Sequence, residues 1–288
     1  MAKSKNGGSR AYIRGRIGSD VYSVGKNGKG EKQQVVRSLA EQVSNPRTQD
    51  QMFGRMIMST VMQAVSGLSQ IIDHSFDSVP KGQPSISEFI RQNYALVKAD
   101  ALAHPASGNK FGLNNYQQKG AQHGPYVISS GSAIVPAAVS TSMVQMSITL
   151  SSETLTVGGL KAALGLSADG YLTFVQIGDN GVVDFVRVKL TTTLADSTAI
   201  TGANVASLFT FEGSYTPEVD LDENTIGISA RGGSEIANVG IIVSEKVDGS
   251  WIHNNCTLSG STLSAGYSDA VLPTYPTGSE MFLNGGEL

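Results

Sequence analysis

Apolar and polar residues alternate along 11–17 and 21–26, on either side of Gly18-Ser19-Asp20. That period of two predicts a short β-hairpin. Residues 25–32, GKNGKGEK, hold too much glycine for regular structure and read as a loop, and residues 34–39 are a candidate third strand. The period then changes. Ser44-Asn45-Pro46-Arg47-Thr48 is a helix-start signal: Asn45 or Thr48 can cap, and Pro46 suits a first turn that needs no amide hydrogen. Over 48–74, Phe53, Ile57, Val61, Ala64, Val65, Leu68, Ile71 and Ile72 recur at helical spacing. The predicted helix is roughly 40 Å long at ~1.5 Å per residue. Met52, Met56, Met58 and Met62 widen its apolar stripe, either as ordinary core or as an adaptable docking surface, and they are candidate subunit contacts. A second helix is predicted over 85–103, with Ser85 and Glu88 as a capping box and Ile86, Phe89, Ile90, Tyr94 and Val97 as its face. The two helices are expected to pack antiparallel across a turn at 80–84.

Residues 105–124 offer few apolar anchors and many turn formers, which predicts a linker or extended arm. Beyond them strands dominate, at 144–150, 171–177, 182–190, 207–211, 225–229, 239–247 and 251–258, with a short helix at 157–166. Asp179-Asn180-Gly181 and Asp248-Gly249 are hairpin turns, since Asn and Gly accept the positive φ such turns demand. The expected fold is α+β. Residues 1–104 form a basic β-hairpin and helical pair, 105–124 the linker, and 125–288 an antiparallel β-sandwich-like domain.

Charge divides this organisation unevenly. Residues 1–47 carry ten basic side chains against three acids, close to +7, whereas the whole chain is −3 and the remainder therefore close to −10. Charged residues make up only 16% of the chain, against about 25% in ordinary soluble domains. A weakly charged surface is expected where neighbouring subunits cover it, so a homo-oligomer is expected. The single cysteine, Cys256, rules out an internal disulfide framework and reads as a small buried hydrophobe. The opening MAKSKNGGSR has no apolar stretch behind it that would make a signal peptide, and no run approaches the ~20 apolar residues of a membrane span. The expected setting is a cytosol, with release by lysis or assembly and no membrane partner.

Motifs for chemistry fail on inspection. GKNGKGEK imitates a phosphate loop, but Gly30 is followed by Glu31 rather than Lys and Ser or Thr. Asp220, Asp222 and Asn224 imitate the start of a calcium loop, yet Thr225 stands where glycine belongs and Arg231 where a bidentate Glu belongs. With Glu218 and Glu223 nearby, an acidic surface loop is expected instead. His253 and Cys256 have a zinc-like spacing without a second pair, and on one strand their odd separation would set them on opposite faces. No nucleophile–base motif is present, so neither catalysis, a cofactor, a metal nor a small-molecule substrate is expected. An aromatic platform for carbohydrate could draw only on Trp251, Tyr267 and Tyr275, and Trp251 reads as core.

The basic arm is the strongest candidate site. Arg10, Arg14 and Arg16 share one parity, Tyr12 and Tyr22 are interleaved with them, and Lys26, Lys29 and Lys32 follow. Cations beside stacking surfaces suit a single-stranded nucleic acid. The same charges suit the acidic β-region of a neighbouring subunit, which the composition favours slightly.

RGRIGSDVYSVGKNGKG (14–30), SNPRTQDQMFGR (44–55) and SEFIRQNY (87–94) together resemble the opening of uncharacterised proteins of Bacteroidetes and of the phages of gut Bacteroidetes. VGIIVSEKVDGSWIHNN (239–255) is similar to a strand–turn–strand ending in the same proteins. The resemblance covers about the first hundred residues and one hairpin. It implies a short β-element, an N-P-R-T turn into helices and a β-rich remainder, in a phage-like structural component with other virion proteins as partners. It offers no catalytic residues to carry over. The expectation is a non-enzymatic virion or assembly protein, with a nucleic-acid-binding module as the alternative.

Overall fold

The alternating N-terminal stretch becomes an antiparallel meander. β1 (Lys3–Ser4), β2 (Ile13–Ile17), β3 (Asp20–Lys26) and β4 (Lys32–Ser38) lie in that order. Ile17 pairs with Asp20 across Gly18-Ser19, and Gly18 takes the φ of +60° that favours glycine. The computed structural model describes residues 3–4, 13–26, 32–39, 49–77, 79, 84–103, 124–151, 155–191, 194–232, 235–261 and 263. Apart from Gly124, the expected linker falls outside them.

The chain separates into two compact units, Met1–Arg47 and Thr48–Leu288. This moves the expected boundary. The helices α1 (Gln49–Ile72) and α2 (Ser85–Ala103) belong with the strands, because Ile57, Val61, Leu68, Ile72 and Phe89 share one core with Ile128, Val175, Ile177 and Ile242. An amphipathic helix pair needs something to cover its broad apolar stripe, and the sheet provides it. No described helix is long and apolar enough to cross a membrane.

The larger unit continues with β5 (Val127–Ser129), β6 (Val139–Thr141), β7 (Gln145–Thr149), α3 (Val157–Leu164), β8 (Tyr171–Gly178) and β9 (Val183–Leu190). After a 3-10 turn at Val205–Leu208 come β10 (Phe209–Gly213), β11 (Val219–Asp222), β12 (Thr225–Ser229) and β13 (Ile236–Val247). The described strands close with β14 (Ser250–His253), β15 (Cys256–Thr257) and β16 (Ser259–Gly260). A central sheet runs β10-β9-β8-β13-β14, with β16 also on β13; a second runs β11-β12-β7-β6, and β15 pairs with β5.

The class is α+β, as the pattern implies, and the expected sandwich is present as two of three layers. Alternation along the central strands shows why. Leu172 and Phe174, Val186 and Val188, and Val239, Ile241 and Val243 pack with Met146, Ile148, Ile226 and Ile228 of the second sheet. Their odd-even partners Val175 and Ile177, Phe185, and Ile242 pack with the helices. An antiparallel sheet usually keeps one face wet; this one is apolar on both, so it must be covered on both.

Local chemistry sets several joints, the Asp248-Gly249 turn as the chain predicts and the end of α3 two residues earlier than expected. Asp248 and Gly249 have φ of 50° and 78°, the two left-handed positions of a tight hairpin turn between β13 and β14. Thr156 caps α3 by accepting from the Gly159 amide at 3.1 Å, and Gly165 ends it in the left-handed conformation. The capping box at α2 does not form. Ser85 donates instead to the Asp73 carbonyl at 2.6 Å, tying the start of α2 to the end of α1. Glu88 is held by Arg91 and Gln92, whose hydrogen bonds bring its carboxyl down to about 2.

Asn93 joins the helical layer to the strands. It is fully buried on α2, where its Nδ2 donates to Val127 O at 2.9 Å and to Phe89 O at 3.0 Å. The Val127 amide returns a bond to its Oδ1 at 2.8 Å. One side chain thereby substitutes for a neighbouring strand at β5. Asn93→Ala is expected to lower unfolding free energy by about 2–3 kcal/mol, since both Val127 groups lose their partner inside the protein. Urea unfolding measures this, and a loss under ~0.5 kcal/mol would remove Asn93 from that role.

Candidate interaction surfaces

The N-terminal meander carries the basic residues because its turns bring consecutive strands side by side. Arg14 and Arg16 lie two apart on β2, both exposed. Arg16 pairs with Val21 and Val21 with Arg37, so a cross-strand row places an arginine on each side of Val21. Strand spacing of ~4.8 Å sets those two backbones roughly 10 Å apart. Arg16 Nε also donates to Gly18 O at 2.8 Å, which holds its side chain over the turn. Arg37 is a basic contributor that the sequence reading omitted; only the β3–β4 register reveals it.

The same register separates what the sequence placed together. Tyr22 pairs with Gly15 and Val36, one position out of step with the Arg16 row, and residues one apart on a strand point to opposite faces. The described aromatic ring therefore does not interleave with Arg14 and Arg16. Lys26 and Lys32 pair with each other where β3 and β4 diverge. Arg10, Tyr12 and Lys29 lie outside the described residues.

None of the side chains described in this unit is buried, and all seven residues of β4 are exposed. Val36, on that edge strand, is 51% exposed. A sheet whose described side chains leave neither face packed, with an open edge, lacks what normally stabilises and protects it.

On α1 the methionines divide from the core. Ile57, Val61, Ala64, Val65 and Leu68 are buried, whereas Met58 is 39% and Met62 43% exposed. They sit one helical turn apart on the outer side, with Ser66 and Ser69. This excludes them from the core; the side chains of Met52 and Met56 lie outside the described set.

Acidic residues gather on the opposite end of the charge scale. The calcium-like run becomes β11, a turn and β12, with Glu223 at φ 50° in the turn. Asp220 and Asp222 share the exposed side of β11, while Val219 and Leu221 lean into the core. Asn224 is engaged elsewhere, its Nδ2 on the Leu150 carbonyl. Among the described residues, no group of three His, Cys, Asp or Glu is placed to hold a metal ion.

His253 serves as half of a clamp. Its Nδ1 lies 2.7 Å from Asp77 Oδ1, its amide donates to the same carboxylate, and Ser132 N approaches it at 3.3 Å. Asp77 thus joins the chain after α1 to β14 and to the 130–132 loop. Gly131 makes the approach possible, because a Cβ there would lie 1.9 Å from Asp77 Oδ2. His253 and Cys256 are on the same side of the central sheet, not opposite sides, because the strand breaks at Asn254-Asn255. Cys256 is buried there, and burial raises its thiol to about 12, far from a reactive thiolate. Trp251, expected in the core, is 43% exposed with its ring 5.5 Å from that of Tyr171. Tyr267 and Tyr275 lie outside the described residues.

Two recesses accompany these surfaces. One, of about 70 Å³, lies among Thr173, Arg187, Ser244 and His253 at the end of α1. The Asp77–His253 pair borders this recess. The other, of about 250 Å³, lies between Lys161, Leu164, Leu166 and Leu190, and Lys161 is paired with Asp196. Compared with known protein families, curated proteins and solved structures, the chain matches none. Replacing Met58 and Met62 together with Gln is expected to leave unfolding free energy within about 0.5 kcal/mol of the parent, as exposed positions do. A loss of several kcal/mol in urea unfolding would return them to the core.

Proposed function

We propose that this protein is a non-enzymatic, self-associating structural component of a phage-like particle, assembled in the host cytoplasm. The observation that carries the reading is the N-terminal sheet, which is folded into four strands without one described buried side chain. Such a unit gains stability by covering a surface outside itself. Charge division supports a neighbour of the same kind, since one chain holds a strongly basic unit and a strongly acidic remainder. The exposed methionines Met58 and Met62 offer a further adaptable contact. The resemblance of residues 14–30 and 44–55 to phage-associated proteins supplies the setting.

Nucleic acid is the second reading. It is favoured by the Arg16–Val21–Arg37 row with Arg14 beside it, four positions on one exposed sheet. One experiment separates the two. Size-exclusion chromatography with light scattering, on nuclease-treated protein over a hundredfold concentration range, is expected to show a stable oligomer without nucleic acid. A monodisperse monomer throughout contradicts the structural reading. If that monomer shifts only on adding a single-stranded oligonucleotide, with log affinity falling linearly against log salt, the second reading replaces it.

A further inference from the structure

We infer that the arginine face of the N-terminal sheet of one copy docks on the acidic β11–β12 hairpin of a second copy, an inference that rests on self-association as proposed above. Two surfaces on one chain fit each other. The first presents Arg14, Arg16 and Arg37, with Val21 between Arg16 and Arg37 and Val35 two residues from Arg37 on the same face. Arg14 and Arg37 have no side-chain partner among the described residues.

The second surface lies in a stretch without any compensating base: between Lys189 and Arg231 the chain has six acids and no Lys or Arg. Five of those acids, Glu212, Glu218, Asp220, Asp222 and Glu223, are exposed. None of these five has an ion pair among the described residues, whereas the sixth, Asp196, pairs with Lys161, and Asp169 and Asp184 outside the stretch each have one as well. β10 and β11, which bear Glu212, Asp220 and Asp222, are edge strands of the two stacked sheets.

Spacing matches as well as sign. Arg14 and Arg16 stand two residues apart on a strand, and so do Asp220 and Asp222. At ~3.3 Å per residue both pairs repeat at roughly 6.6 Å. Seating one pair on the other joins guanidinium to carboxylate, the geometry that arginine supports best. It also covers Val21 and Val35, giving the N-terminal sheet the packed face it lacks.

The contact uses different patches on its two partners. A docked pair therefore still offers one free arginine face, on one copy, and one free acidic hairpin, on the other. An interface of this type propagates into a ring or an open filament rather than stopping at a dimer.

Charge reversal tests this with the full chain. R14E/R16E and D220K/D222K, each alone, are expected to weaken assembly about 10–100-fold, because like charges then face each other. Mixed together they are expected to assemble again, since each variant supplies the complement of the other's two surfaces. Circular dichroism and the milder pairs R14Q/R16Q and D220N/D222N keep the result separate from misfolding. If wild-type protein assembles and both reversals assemble equally well, this docking is overturned while self-association stands on another surface. If the reversals fail alone and the mixture also fails, the pairing of these two surfaces is overturned. If wild-type protein is itself monomeric, the docking and the functional reading both fall.

Discussion

Burial of β13 on both faces is the constraint on which the larger unit depends. The strand pairs with β8, β14 and β16, sends Val239, Ile241 and Val243 into one core and Ile242 into the other, and so has to be covered by a sheet below and helices above. Its backbone has to be satisfied where regular neighbours stop. β14 ends at His253, and Asn254 takes over: Val243 N donates to its Oδ1 at 2.8 Å and its Nδ2 donates to Ile241 O at 3.1 Å. Asn93 does the same for β5. Asparagine suits such gaps because its amide presents one donor and one acceptor in the geometry of a peptide group. Gly240 completes the arrangement, since a Cβ there would meet Cys256 Sγ and Leu258 at 2.9 Å.

The N-terminal unit obeys the opposite constraint. It has strands, turns and register but no buried side chain among its described residues, and a surplus of positive charge that resists compaction on its own. On the proposed reading, a sheet of this kind is half of an interface. The acidic hairpin at the edge of the larger unit is a surface of matching sign and spacing. On this view the low overall charge reflects surface meant to be covered, and assembly completes folding of the smaller unit. The proposed role as a particle component follows from that incompleteness more than from any single residue.

Much of the larger unit was legible because its signals are local and periodic. The bounds of α2, the Asp248-Gly249 turn, the start of α3 and the strands β8, β9, β12 and β13 all follow from spacing and turn chemistry. β5, β6 and β11 are three or four residues long, too short for a period of two to stand out; β6 and β11 form against the longer β7 and β12, and β5 is held by Asn93 and the two-residue β15. The capping box failed for a tertiary reason: the end of α1 presents the Asp73 carbonyl to Ser85. Met58 and Met62 widen the apolar stripe in projection, yet only residues nearer its centre meet α2 and the sheet. The arginine face was visible as parity on one strand, but Arg37 joined it and Tyr22 left it through cross-strand register, which sequence spacing does not encode. Asn93 was detectable as a polar residue inside the Phe89–Val97 apolar face, a position that demands a partner.

Hydrogen–deuterium exchange of the full chain, measured above and below the assembly concentration, bears most directly on the claim that the N-terminal sheet is ordered by a neighbour. Amides of β2, β3 and β4 should be protected in the concentrated sample and exchange within seconds on dilution, while those of Val239–Val243 stay equally slow in both. Equal, concentration-independent protection of β2–β4 would show that the sheet stands on its own and would contradict the claim.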